Sequence, residues 1–130
     1  MTRADSPPCV AIVEDRPEDR FFLAHALREV SADCQIFEFP SAEAALDFLH
    51  VPDRPRLDLI LVDISMPRMS GFEFADAFQQ LYPEVRGGAR LCIISSSIDP
   101  NDCERALNHP AVADFLEKPA RAARLADLLR

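Results

Sequence analysis

Short apolar runs alternate with amphipathic stretches along this 130-residue chain. Cys9–Val13 is continuously apolar and ends in Glu14-Asp15, and Pro17 then opens a stretch in which Phe21, Leu23, Ala24, Leu27 and Val30 fall at helical spacing. Gln35–Phe39 reads as a second strand, carrying Ile36, Phe37 and Phe39. Ser41 suits an N-cap, and Glu43 suits the first turn of a helix bearing Ala45, Leu46 and Leu49. Residues 57–62 are apolar except for Asp58, and the run ends in Asp63. Pro67 and Gly71 mark the loop that follows. Phe72, Ala75, Phe78 and Leu81 then recur at helical spacing, and Pro83 is expected to stop that helix. A fourth apolar run, 91–94, leads into Ser95-Ser96-Ser97. Asp99-Pro100 gives an N-cap followed by a proline at the first helical position, and His109-Pro110 ends that short helix. A weaker fifth strand over 112–116 precedes Lys118-Pro119, and 120–129 forms a last helix.

The pattern is five strands alternating with five helices. Strands this uniformly apolar are buried on both faces, which implies a parallel sheet covered by helices on each side. Short connections between parallel strands run as right-handed crossovers. The expected fold is therefore α/β, a doubly wound five-stranded parallel sheet in a three-layer sandwich.

Composition narrows the class. Hydrophobic residues make up 48% of the chain and charged ones 28%, enough for a buried core and too apolar for disorder. The length fits one domain. With 14 basic and 22 acidic residues, the net charge of −8 lacks the surplus of Lys and Arg that general nucleic-acid binding requires. No apolar run is long enough to span a membrane, and the polar segment 1–8 lacks the apolar core of a signal peptide, so a cytoplasmic location is expected. Cys9, Cys34, Cys92 and Cys103 show no C-x-x-C pairing and read as buried thiols in a reducing compartment.

The polar residues that interrupt the apolar scaffold fall at particular places. Taken singly, Glu14, Asp15, Glu18 and Asp19 read as a solvated acidic loop, Asp63 as a turn cap, Ser95 as ordinary loop and Lys118 as a solvated lysine. Taken together, Glu14-Asp15, Asp63, Ser95 and Lys118 all follow or end strands of one direction. A doubly wound sheet binds ligands outside the carboxyl ends of its strands, where the winding reverses. For the strand order 2-1-3-4-5 that crevice lies between the first and third strands. Three carboxylates meeting there repel one another by several kcal/mol, on the order expected near a protein surface. A hard divalent cation such as Mg²⁺ removes that repulsion. A carboxylate beside it can then attack phosphorus, with Ser95 and Lys118 supplying donors to the transferring group.

These residues lie in blocks that closely resemble the receiver domain of bacterial two-component response regulators, with the flavodoxin-like, chemotaxis-regulator-like (βα)5 fold. The blocks are Val13-Glu14-Asp15, the run from Asp58 through Asp63-Ile64-Ser65-Met66-Pro67 to Gly71, Ile93-Ile94-Ser95-Ser96, and Phe115-Leu116-Glu117-Lys118-Pro119. The resemblance implies a receiver domain over 9–130 after an N-terminal extension, 1–8. It implies that Asp63 accepts phosphate from a histidine kinase or a histidine phosphotransfer protein. Asp15 and Asp63 would bind Mg²⁺ directly, with Mn²⁺ as an allowed substitute. Glu14 would bind through water, and the Ser65 backbone carbonyl would add a further ligand. Ser95 and Lys118 would engage the phosphoryl group, and the Lys118–Pro119 bond is typically cis in similar proteins. Phe115 falls at the aromatic switch position. A phenylalanine there lacks the hydroxyl of the tyrosine often found, so the ring is expected to rest inward even without phosphate. Ser65 and Ser97, both small, flank the approach of water, which implies a phosphorylated state that is not strongly shielded.

Nothing in the sequence after the last helix reads as an output domain, so a stand-alone receiver is expected, acting by docking, by relaying phosphate or by draining it from a kinase. The usual docking face is formed by the fourth helix, fifth strand and fifth helix, here including Arg105, Ala106, Phe115 and Arg121; a homodimer is compatible with it. Such a protein catalyses its own phosphorylation and dephosphorylation and turns over no external small molecule. A constitutive pseudo-receiver scaffold is the rival reading, and the full set of five site residues argues against it. A haloacid-type phosphatase would need a carboxylate where Ser65 stands. A flavin mononucleotide site would be repelled by Glu14, Asp15, Glu18 and Asp19.

Overall fold

Parallel pairing of five strands, the central three buried along almost their whole length, organises the computed structural model, which describes residues 7–96 and 99–130. In chain order the elements are β1 (Cys9–Val13), α1 (Pro17–Val30), β2 (Gln35–Phe39), α2 (Ala42–Leu49), β3 (Leu59–Asp63), α3 (Gly71–Gln80), α4 (Pro83–Arg86), β4 (Arg90–Ser95), α5 (Pro100–Leu107), β5 (Val112–Glu117) and α6 (Ala122–Leu128). The sheet order is β2-β1-β3-β4-β5, so the chain winds one way from β1 to β2 and the other way from β3 onward. The sequence-based expectation of a doubly wound α/β sandwich holds. Ser97 and most of the 1–8 extension lie outside the described residues.

Strand periodicity splits the core into two layers. Ala11, Val13, Ile60, Val62, Leu91 and Ile93 face one side and pack with Ala45, Leu49, Phe72, Phe74, Phe78 and Ala106. Val10, Ile12, Leu59, Leu61, Cys92 and Ile94 face the other and pack with Leu23, Leu27, Leu125 and Leu128 of α1 and α6. Leu27 and Leu125 are fully buried, and truncating either to alanine costs about 2–5 kcal/mol by loss of transfer energy plus the cavity left behind.

Several boundaries differ from the sequence-based expectation, each for a local reason. The third strand starts at Leu59 rather than at residue 57, because the Asp58 carboxylate accepts the Cys9 N–H at 2.9 Å and so closes the start of β1. Pro83 does more than stop α3. It stands at the first position of a one-turn helix that follows Tyr82 and closes at Gly87 (φ +68°), giving six helices among the described residues where five were expected. The last helix begins at Ala122, two residues later than expected, after the cis Lys118–Pro119 bond. Cys9, Cys34 and Cys92 are buried thiols, whereas Cys103 on α5 is only half-buried. Ala106 is fully buried against the sheet and cannot belong to a docking face; its exposed neighbour on α5 is Leu107. No helix among the described residues is long and apolar enough to cross a membrane.

Candidate functional site

Three strands end at the same rim. β1 runs directly into Glu14, whose N–H donates to the Phe39 carbonyl at 3.0 Å, so the residue leaves the strand still anchored to β2. Its side chain is fully buried: Oε1 accepts the Arg16 N–H at 3.2 Å, and Oε2 accepts from Lys118 Nζ at 2.8 Å. Asp63 closes β3 and is 6% exposed, with Oδ2 accepting the Ser65 N–H at 3.0 Å and Oδ1 lying 2.8 Å from Lys118 Nζ. Ser95 closes β4, is buried, and its carbonyl accepts the Lys118 N–H at 2.8 Å. That bond ties the backbone of the lysine to the neighbouring strand.

The loop after β3 is shaped around this rim. Gly71 donates its N–H to the Ile64 carbonyl at 2.9 Å, and a Cβ added there would sit 2.5 Å from the Asp63 carbonyl oxygen. Only a glycine permits that approach. Arg68 takes a left-handed φ of +69°, and its guanidinium reaches Glu43 on α2 at 3.0 Å. Ser70 and Glu73 form a capping box that starts α3.

Charge at the site is tightly coupled. Burial raises the Glu14 carboxyl from 4.5 to about 7, against the lowering effect of its hydrogen bond to Lys118, and the nearby negative Asp63 adds to the rise. Burial would lower Lys118, but hydrogen bonds to Asp63, Glu14 and Asp19 outweigh it and hold the ammonium above its ordinary value. Lys118 is therefore a permanent cation at neutral pH.

Glu14, Asp15 and Asp63 each offer one carboxylate oxygen, and these oxygens lie within 4.8 Å of one another. Asp15 Oδ1 is buried and finds no hydrogen-bond donor among the described residues. A buried acceptor without a donor is costly unless a cation or water meets it. Hard oxygen donors in a cluster of this size fit Mg²⁺ and do not fit a soft metal.

The structure thus brings together Glu14, Asp15, Asp63 and Lys118 from three separate stretches of sequence, with Ser95 at the adjacent strand end. Phe115 pairs in register with Ile93, is half-buried, and packs against the core layer that contains Phe72 and Ala106. Asp19, singly read as solvated, instead bonds Lys118 Nζ at 2.9 Å. In the sequence its place in the first turn of α1 is equally explained by the helix dipole.

A doubly wound parallel sheet whose switch point carries a carboxylate triad and a paired lysine defines the receiver class of signalling module. The family model for the response regulator receiver domain matches residues 10–130, and the chain belongs to that family. Among curated relatives it is 37% identical to a protein-glutamate methylesterase/protein-glutamine glutaminase of Syntrophus aciditrophicus, covering 92% of this chain and 32% of that protein. It is 31% identical to the cyclic di-GMP phosphodiesterase response regulator RpfG of Xanthomonas campestris, covering 92% and 30%. The two-component response regulator ORR6 of rice is 33% identical, with 91% and 66% covered. The chain thus spans about a third of the length of the first two. Among solved structures, a two-component response regulator of Cytophaga hutchinsonii superposes with a TM-score of 0.82 at 28% identity, covering 94% of this chain and 93% of that one. A response regulator receiver protein of Dyadobacter fermentans gives 0.80 at 34% identity, covering 93% and 94%. The matched family is one of signalling receiver domains.

Proposed function

We propose that Asp63 is the phosphoacceptor of this receiver, spanning 9–130 after an extension of residues 1–8, and takes its phosphoryl group from a phosphohistidine on a histidine kinase or phosphotransfer protein. The observation that carries this reading is the convergence of the Glu14, Asp15 and Asp63 oxygens within 4.8 Å, beside a lysine 2.8 Å from Asp63. A carboxylate oxygen of Asp63 attacks phosphorus, the P–N bond breaks, and the imidazole nitrogen leaves with the electron pair. Asp15, Asp63 and the Ser65 carbonyl would hold Mg²⁺ directly, with Glu14 acting through water. When bound, that ion offsets the charge of the carboxylates and of the transferring group.

Lys118 neutralises Asp63 in the resting protein and is near enough to pair with an incoming phosphoryl oxygen. Ser95 would donate its hydroxyl to the same group. As Ser95 moves to do so, Phe115 turns further into the adjacent layer. Downstream docking is assigned to the face of α5, β5 and α6, where Arg105 and Arg121 are exposed. Arg105 lies over the Phe72 ring at 4.0 Å, which links that face to α3.

Incubation with acetyl phosphate and Mg²⁺, followed by intact-mass and peptide mapping, tests the assignment. One phosphoryl group on Asp63 is expected, lost in Asp63→Asn. Labelling that persists at another residue in the variant overturns it.

A further inference from the structure

The Lys118 ammonium has three N–H donors and three carboxylate oxygens around it: it donates to Glu14 Oε2 at 2.8 Å and to Asp19 Oδ2 at 2.9 Å, and it is ion-paired with Asp63 Oδ1 at 2.8 Å. Two of these acceptors come from strand ends. The third comes from the first turn of α1, outside the sheet. An ammonium has no fourth donor. A phosphoryl oxygen arriving on Asp63 is therefore met by Lys118 only if one existing bond is released.

The three bonds are not equally replaceable. Glu14 is fully buried, so losing the lysine would leave a desolvated carboxylate without its counter-charge. Asp63 is the group that receives the phosphoryl. The Asp19 side chain is 25% exposed and borders an open groove of about 480 Å³ between α1 and the Lys118-Pro119-Ala120 segment, where water can take over its oxygens. The Asp19 bond is the one that yields.

We propose that Asp19 is a positioning residue that restrains the Lys118 ammonium in the resting protein, so that its release is part of the cost of accepting a phosphoryl group. This rests on the reading of Asp63 as the phosphoacceptor. The charge of Asp19 acts in the same direction as its bond, because it opposes the approach of an anion to the rim.

The test compares binding of BeF₃⁻, a phosphoryl mimic, in the presence of saturating Mg²⁺, with acetyl phosphate labelling rates as a second readout. Removing a partly exposed restraint of this kind should tighten BeF₃⁻ binding about fivefold in Asp19→Asn, with Asp19→Ala agreeing. Asp19→Glu keeps the charge and the acceptor and should stay within about twofold of wild type. Glu18→Gln removes an identical charge from the same helical turn, and it too should stay within about twofold, since Glu18 is not among the carboxylates on Lys118. Unchanged or weaker binding in both Asp19→Asn and Asp19→Ala overturns the proposal. Tightening by Glu18→Gln as large as that of Asp19→Asn also overturns it, because long-range charge would then account for the effect. A wild type that neither binds BeF₃⁻ nor labels at Asp63 removes the phosphoacceptor reading and this inference together. A wild type that binds, beside Asp19 variants that behave like it, removes this inference alone.

Discussion

Glu14 is buried more completely than any other charged side chain at the rim, and its raised pKa has a consequence for stability. Between its ordinary value of 4.5 and the folded value of about 7, the native protein holds a proton that the unfolded chain has released. Stability from this group is therefore greatest below 4.5 and is lost as pH rises to about 7. Lys118 works in the opposite range: its pKa is raised, so its contribution is present throughout neutral pH and is lost only in strong alkali. Chemical denaturation of metal-free protein from pH 4.5 to 7 should show a falling contribution that is missing in Glu14→Gln. Parallel pH profiles for wild type and variant would disprove it. At this scale the sequence revealed most of the site, because strand-end carboxylates stand out against apolar runs. It did not reveal Asp19, since an acid in the first turn of a helix is equally explained by the helix dipole.

The elements carry these side chains to one rim by backbone bonds that depend on particular residues. Gly71 is the sharpest case: its missing Cβ lets the start of α3 lie against the Asp63 carbonyl, 2.5 Å from where a methyl would be. In Gly71→Ala either α3 or the end of β3 must shift, which should cost about 1–3 kcal/mol by overpacking. Because the shifted atoms belong to Asp63, the same variant should also weaken Mg²⁺ binding, read by titration. A loss of stability with unaltered Mg²⁺ affinity would mean that α3 alone moves. Central strands were legible because β1, β3 and β4 are buried almost throughout and leave uninterrupted apolar runs. The edge strands β2 and β5 are partly exposed and mix polar residues in, which is why the fifth looked weak. Proline punctuation was read in one direction only. Pro83 could not continue α3, yet its fixed φ suits the first position of another helix.

Across the whole molecule, the two core layers and the rim site are linked through a single sheet, and the cysteines report on it. Cys92 is fully buried at the centre of β4, and burial pushes its thiol up to about 12, so it cannot react in the native state. Cys103 is half-buried on α5 and can react without the sheet opening. A ligand that binds only the native state slows reactions that need global opening, by the factor 1 + [L]/Kd. Mg²⁺ at about 100 times its Kd should therefore slow labelling of Cys92 by roughly a hundredfold, while Cys103 labels at nearly the same rate with or without the ion. Site-resolved mass spectrometry with a thiol reagent distinguishes the two. If Mg²⁺ slowed neither cysteine, the carboxylate triad would not be coupling an ion to the fold. If it slowed both equally, α5 would open only together with the sheet, and the half-exposure of Cys103 would carry no local freedom.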